Sequence, residues 1–149
     1  MNNKEILLKE IDLIQACISK VEQNSFVVKG WSISIVAVVL ALFPEELNQK
    51  FIGVTLAIII ISFWLLDAFF LRVDRLYRWK YDWIIKNRPN SDEYFFDMDP
   101  YNSDMWNLDK RGRVKKEPHI LNVMLSTTLL IIYLPLLCLS IATCFSVIK

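Results

Sequence analysis

The sequence predicts an all-α integral membrane protein: three transmembrane helices, an N-terminal amphipathic helix and a cytoplasmic helical extension. Three observations predict it. Phe51 to Leu71 is an apolar run of twenty-one residues with one charge, Asp67, about 30 Å of helix and so the thickness of a bilayer's hydrocarbon core. Two further apolar runs, at about Phe26 to Phe43 and within Ile120 to Ile148, are of spanning length. The 149-residue chain is 54% hydrophobic with mean hydropathy +0.35, a balance that suits a chain embedded along much of its length.

The elements follow in order. Residues 1–25 carry a cytoplasmic amphipathic helix, in which Leu7, Ile11, Ile14, Ile18 and Val21 recur at spacings of 4, 3, 4 and 3. With Ile11 and Ile18 at a positions and Leu7, Ile14 and Val21 at d, the stripe suits a three- or four-stranded bundle between subunits. Packing on the same chain or on the membrane surface is the other use of such a stripe. Residues 26–71 form a transmembrane hairpin. Lys29 snorkels near the start of its first span and Trp31 suits the interface. Pro44-Glu45-Glu46 ends that span, and the short connection to Lys50 forces an antiparallel return. No Gly or Pro stops the second span where it runs on into RVDRLYRWKYDWIIK, so one helix passes from apolar to charged surroundings. Residues 72–118 are the cytoplasmic helix and loop. Residues 119–149 hold the third span, which follows Pro118. It is long enough that either its first turns stand outside the bilayer or Pro135 bends it.

Charge sets the expected orientation. Lys and Arg number four before or at the start of the first span, one in the hairpin loop, eleven between the second and third spans, and one at the end. The N-terminus and the middle segment are therefore expected in the cytoplasm, with the hairpin loop and C-terminus outside. The opening MNNKEILLKEIDL puts acids where a cleavable signal needs its apolar stretch. The middle segment is itself blocky: +4 over Arg72 to Arg88, −6 over Ser91 to Asp109, and +4 over Lys110 to Glu117. The acidic block is also aromatic, with Tyr94, Phe95, Phe96, Tyr101 and Trp106.

Composition excludes several functions. Three glycines leave no Gly-rich phosphate loop, and a net charge of +1 gives no bulk field for nucleic acid. Cys17, Cys138 and Cys144 lack metal-ligand spacing and read as small apolar fillers. One histidine, His119, and no nucleophile motif leave no acid–base pair, so no enzyme and no cofactor are expected. Asp97 and Asp99 form a D-x-D able to hold a divalent cation, although a solvated loop paired with the flanking basic blocks explains them as well.

Asp67 is the one carboxylate inside a span and is a functional candidate on that ground. Lys29 falls within about a turn of it in depth, so the two read as an intramembrane pair that pins the hairpin. A carboxylate that lines a permeation path or moves on gating is the sharper alternative. Small polar residues recur along the spans: Asn122, Ser126, Tyr133 and Ser140 in the third, Thr55 and Ser62 in the second. Such stripes serve helix-to-helix contact, where small hydroxyl residues permit close approach, and in an oligomer they can line a pore. Arg72, Arg75, Arg78, Lys80, Lys110, Arg111, Arg113, Lys115 and Lys116 abut the membrane. They suit anionic headgroups or, repeated around an oligomer, a ring that holds a nucleotide or oligonucleotide by its phosphates.

The stretch FWLLDAFFLRVDRLYRWKYDWI, with Trp64, Asp67, Leu71, Arg72, Asp74, Arg75, Tyr77, Arg78 and Tyr81, resembles the SLATT-type transmembrane effectors of bacterial anti-phage defence loci. These include the channel subunit of the Hailong system. The likeness covers roughly residues 29–88 and the order of the spans; the acid before the second Arg is commonly Glu in that pattern, and Asp74 departs from it. The resemblance implies a homo-oligomeric channel, a tetramer, that depolarises the infected cell in abortive infection. It also implies a short single-stranded oligodeoxynucleotide, made by a partner nucleotidyltransferase, that binds the cytoplasmic basic surface and holds the channel shut. A reading from another class is a non-conducting membrane scaffold that recruits a soluble partner through Tyr94 to Trp106.

Overall fold

The computed structural model describes residues 3–42, 48–91, 93–106 and 114–145. Its regular elements are helical: α1 (Asn3–Leu42), α2 (Gln49–Asn87), α3 (Ile120–Met124) and α4 (Thr127–Phe145), with single 3₁₀ turns at Arg88–Asn90 and Ser103–Met105. Three helices, α1, α2 and α4, are long and apolar enough to cross a membrane. The chain divides into two compact units, Met1–Gln23 with Phe70–Pro118, and Asn24–Phe69 with His119–Lys149.

Two helices differ in outline from their apolar runs. The amphipathic helix and the first span are one helix of 40 residues, because nothing between Glu22 and Val28 breaks it. Asn24 and Ser25 are only weak helix formers, and Ser25 gives its hydroxyl to a long-range partner. The third span, in contrast, is not one helix. It breaks at Leu125 and Ser126, while Pro135 stays inside α4. The Ser126 carbonyl accepts the N–H groups of Leu129 and Leu130, both at 3.0 Å, so Ser126 closes the first turn of α4 through its backbone alone. At the other end of α3, His119 Nδ1 accepts the Leu121 N–H at 3.3 Å. The lone histidine is thus a helix cap.

In the Asn24–Phe69 and His119–Lys149 unit, α2 buries Ile52, Leu56, Ile60, Trp64 and Ala68. That every-fourth-residue row is one face of a helix. Val54, Ile58, Ile61 and Leu65 on its other faces are exposed, as are Phe26 and Trp31 on α1 and Ile131, Leu134 and Ile141 on α4. Ser25, Ser32, Asp67 and Ser140 are buried instead. Apolar outside and polar inside is unfavourable in water and suits a lipid surround. Gly53 allows α4 to approach closely: a Cβ there would stand 2.8 Å from the Ser140 carbonyl oxygen and would collide with Cys144 Sγ. Ser140 Oγ donates to the Gly53 carbonyl at 3.0 Å.

In the Met1–Gln23 and Phe70–Pro118 unit, Ile14, Ile84 and Met105 form a buried centre. Leu7, Ile11, Ile18, Tyr77, Tyr81, Trp83 and Met98 pack around it. Leu7, Ile11, Ile14 and Ile18 of the heptad-like stripe thus pack on their own chain, the second of the two uses expected of it.

Candidate functional site

The site within the apolar helices is built on Asp67. Ser25, Lys29 and Ser32 recur at spacings of 4 and 3 along α1, which puts them on one face. Asp67 is fully buried. Lys29 Nζ lies 2.9 Å from its Oδ1 and 2.8 Å from its Oδ2. Ser25 Oγ donates to Oδ1, and the Tyr133 hydroxyl donates to Oδ2 at 3.1 Å. Lys29 also donates to Ser25 Oγ, and Ser32 Oγ donates to the Lys29 carbonyl at 2.8 Å. One carboxylate thus takes donors from α1 and from α4 while standing on α2.

The Tyr133 ring is itself held. It stacks on Trp64 with centroids 5.8 Å apart and planes within 7°. Trp64 Nε1 donates to the Met124 carbonyl at 3.1 Å, an acceptor at the α3–α4 break. A buried charge carries a desolvation cost that its hydrogen-bonding partners offset only in part. The same charge without them is several kcal/mol unfavourable.

The other expected lining residues separate. Tyr133 and Ser140 are buried against α2 of their own chain, which corrects their reading as pore-lining groups in favour of helix-to-helix contact. Thr55 and Ser62 return their hydroxyls to the carbonyls of Phe51 and Ile58 one turn back, each at 2.8 Å. Ser62 and Asn122 are exposed, and Ser126 Oγ is buried without a hydrogen-bond partner.

The basic residues fall into three groups. Arg72 pairs with Glu117 and lies over Tyr101, 5.8 Å from the ring centroid. Arg78 pairs with Asp74 at 2.8 Å and with Glu22. Lys80 is fully buried, with Nζ 3.1 Å from Asp97 Oδ1 and 2.8 Å from the Asp99 carbonyl oxygen. Burial pushes the Lys80 pKa down, against the pull of Asp97 and Asp99. Burial alone would raise Asp97, but Asn102, the Asp99 N–H and Lys80 together hold it below the ordinary carboxylate value. Lys80 therefore cannot meet a ligand from solution, which corrects its place on the binding surface. Its ammonium is also the cation held by the D-x-D. No group of three or more His, Cys, Asp or Glu suited to a metal occurs among the described residues.

Arg75, Lys115 and Lys116 form the second group, free of an ion-pair partner among the described residues. Lys115 Nζ stands 4.9 Å from the centre of the Trp79 ring. Lys110, Arg111 and Arg113 form the third and lie outside the described residues.

One cluster was not anticipated. Arg88 is buried and meets both carboxylate oxygens of Glu10, with Nη2 at 2.7 Å from Oε1. It also donates to the carbonyls of Ser91, Glu93 and Tyr94, and Glu10 accepts the Phe96 N–H at 2.8 Å. The clamp holds a loop in which Tyr94 and Phe96 adopt φ of 55° and 53°, a costly region for bulky side chains. Glu10 lies between Leu7 and Ile14 on the apolar face of α1, and that misplaced acid is the signal that could have found it. Compared with known protein families, curated proteins and solved structures, the chain matches none.

Proposed function

We propose that this chain is the subunit of an oligomeric ion channel in the bacterial inner membrane, an effector of anti-phage defence that dissipates the membrane potential of an infected cell. In this reading α1, α2 and α4 span the bilayer, with the N-terminus and the Phe70–Pro118 segment in the cytoplasm and the C-terminus outside. A short single-stranded oligodeoxynucleotide, the product of a partner nucleotidyltransferase, binds the inner basic surface and holds the channel shut. The subunits form a tetramer, and the chain has no catalytic role.

The observation that carries the reading is the Asp67 cluster. A carboxylate and an ammonium buried inside apolar helices are expensive ornaments for an anchor. They are the usual mark of a path for ions or of an element that moves. Tyr133 and Lys29 reach Asp67 from different helices, so any rearrangement at Asp67 is felt in all three apolar helices at once. The basic surface available to the ligand is Arg75, Lys115 and Lys116 with Lys110, Arg111 and Arg113; the acids that pair with Arg72 and Arg78 leave those two a smaller share. The resemblance to SLATT-type effectors supplies the defence context and the sign of the control.

The test is the membrane potential of bacteria that express the chain, followed with a potential-sensitive dye. Expression alone is expected to collapse the potential, and co-expression of the oligonucleotide-forming partner to restore it. A chain that accumulates in the membrane and leaves the potential unchanged in both cases contradicts the proposal and favours the scaffold.

A further inference from the structure

The stretch after Val114 meets the first charged turns of α2 through two side chains. Lys115 reaches Trp79, and Glu117 reaches Arg72. Those two contacts bracket Arg75, which shares a helix face with Arg72 and Trp79 by its spacing of three and four residues. Arg75 is half-buried and has no acceptor among the described residues, and Lys116, between the two bracketing residues, is exposed. Arg72 adds an orphan: its Nε is buried without a hydrogen-bond partner. The bracket therefore carries more donors than its one acid, Glu117, can serve. Its ring is fixed, since Trp79 packs on Trp106 at 5.5 Å and Trp106 Nε1 donates to the Pro100 carbonyl at 2.9 Å.

We propose that Arg75, Lys115 and Lys116, set around Trp79, form a seat for the phosphate of an anionic phospholipid headgroup. Two features favour a lipid over another phosphate. Arg75 comes one helical turn, about 6 Å, after Leu71, the last residue of the apolar run. Val114, next to Lys115 in sequence, is 71% exposed, and an exposed apolar side chain within a basic stretch matches the boundary between headgroups and acyl chains. The seat is independent of conduction. Its three cations also belong to the basic surface proposed for the oligonucleotide, so lipid and oligonucleotide compete for them.

Native mass spectrometry of the detergent-extracted full chain, titrated with phosphatidylglycerol or phosphatidylcholine, tests it. The wild type is expected to retain phosphatidylglycerol in preference. Arg75→Gln and Lys116→Gln are each expected to weaken that retention about fivefold, the usual contribution of one cation near an anionic surface. Lys20→Gln, which removes an exposed cation of α1, is expected to leave it unchanged. Lys116 is exposed and makes no hydrogen bond, ion pair or ring contact among the described residues, so its variant reports on the seat even where Arg75→Gln lowers stability. Equal retention of the two lipids, equal retention by wild type and both seat variants, or occupancy by a single-stranded oligonucleotide with no response to lipid would each overturn the proposal.

Discussion

Asp67 takes a hydroxyl from Ser25, an ammonium from Lys29 and a phenol from Tyr133, so neutralising it strands a lysine among apolar helices. Asp67→Asn is expected to destabilise the folded protein by about 3 kcal/mol, the cost of breaking a buried ion pair. The double variant Lys29→Gln, Asp67→Asn is expected to lose less than the sum of the two single changes. Denaturant titration in detergent measures both, and additive losses would contradict the pair. Tyr133→Phe is expected to cost about 1.5–3 kcal/mol, as for a hydrogen bond to a charged group. At this scale the sequence made Lys29 and Asp67 visible, because depth along two antiparallel helices can be counted from their loop. Ser25 and Tyr133 were not legible as their partners. Tyr133 is sixty-six residues from Asp67, and no periodicity says which faces of α2 and α4 meet.

Helices of this chain meet through glycine in one place and leave glycine open in another. At Gly53 an added Cβ collides with α4, whereas at Gly30 it meets nothing within 4 Å. Gly53→Ala is expected to lose about 1–3 kcal/mol through overpacking. Gly30→Ala is expected to be neutral or to gain up to about 1 kcal/mol of helix propensity. Thermal unfolding in detergent separates the two, and equal behaviour would show that α4 does not seat on Gly53. The loop held by Lys80 offers a pH test. Asp97 has a folded pKa below its ordinary value of 3.8, so the folded state binds fewer protons than the unfolded chain between those two values. Its stabilising contribution is full above pH 3.8 and is lost as pH falls through the folded value. Hydrogen exchange at Asp99 and Tyr101, whose N–H groups are held by Asp97 and Asp99, is expected to show less protection below that range. Unchanged protection there would place the tether elsewhere. The helices themselves were readable from apolar runs and their spacing, because burial imposes period. The break at Ser126 was not, since Pro135 gave the louder signal and a hydroxyl residue at a helix start speaks only locally.

For the molecule as a whole, the sequence marks three apolar helices and the basic blocks, but pairing decides which charges remain available. Lys80 disappears into the fold, and Arg72 and Arg78 meet acids from residues distant in sequence, Glu117 and Glu22. Replacement of Arg111, Arg113, Lys115 and Lys116 by Gln is expected to abolish binding of short single-stranded oligodeoxynucleotides. Wild-type binding is expected to weaken with salt, at a log–log slope of about −0.7 for each phosphate neutralised. A control surface that inhibits also predicts that the fourfold variant is toxic on expression without any trigger. Unaltered, salt-insensitive binding by the variant would assign these residues to orientation alone. The most direct measurement is of single-channel current through purified protein in a planar bilayer. The account predicts discrete openings without ligand and their loss when a short oligodeoxynucleotide is added on the cytoplasmic side. Inserted protein that carries no current, with or without the oligonucleotide, would contradict it.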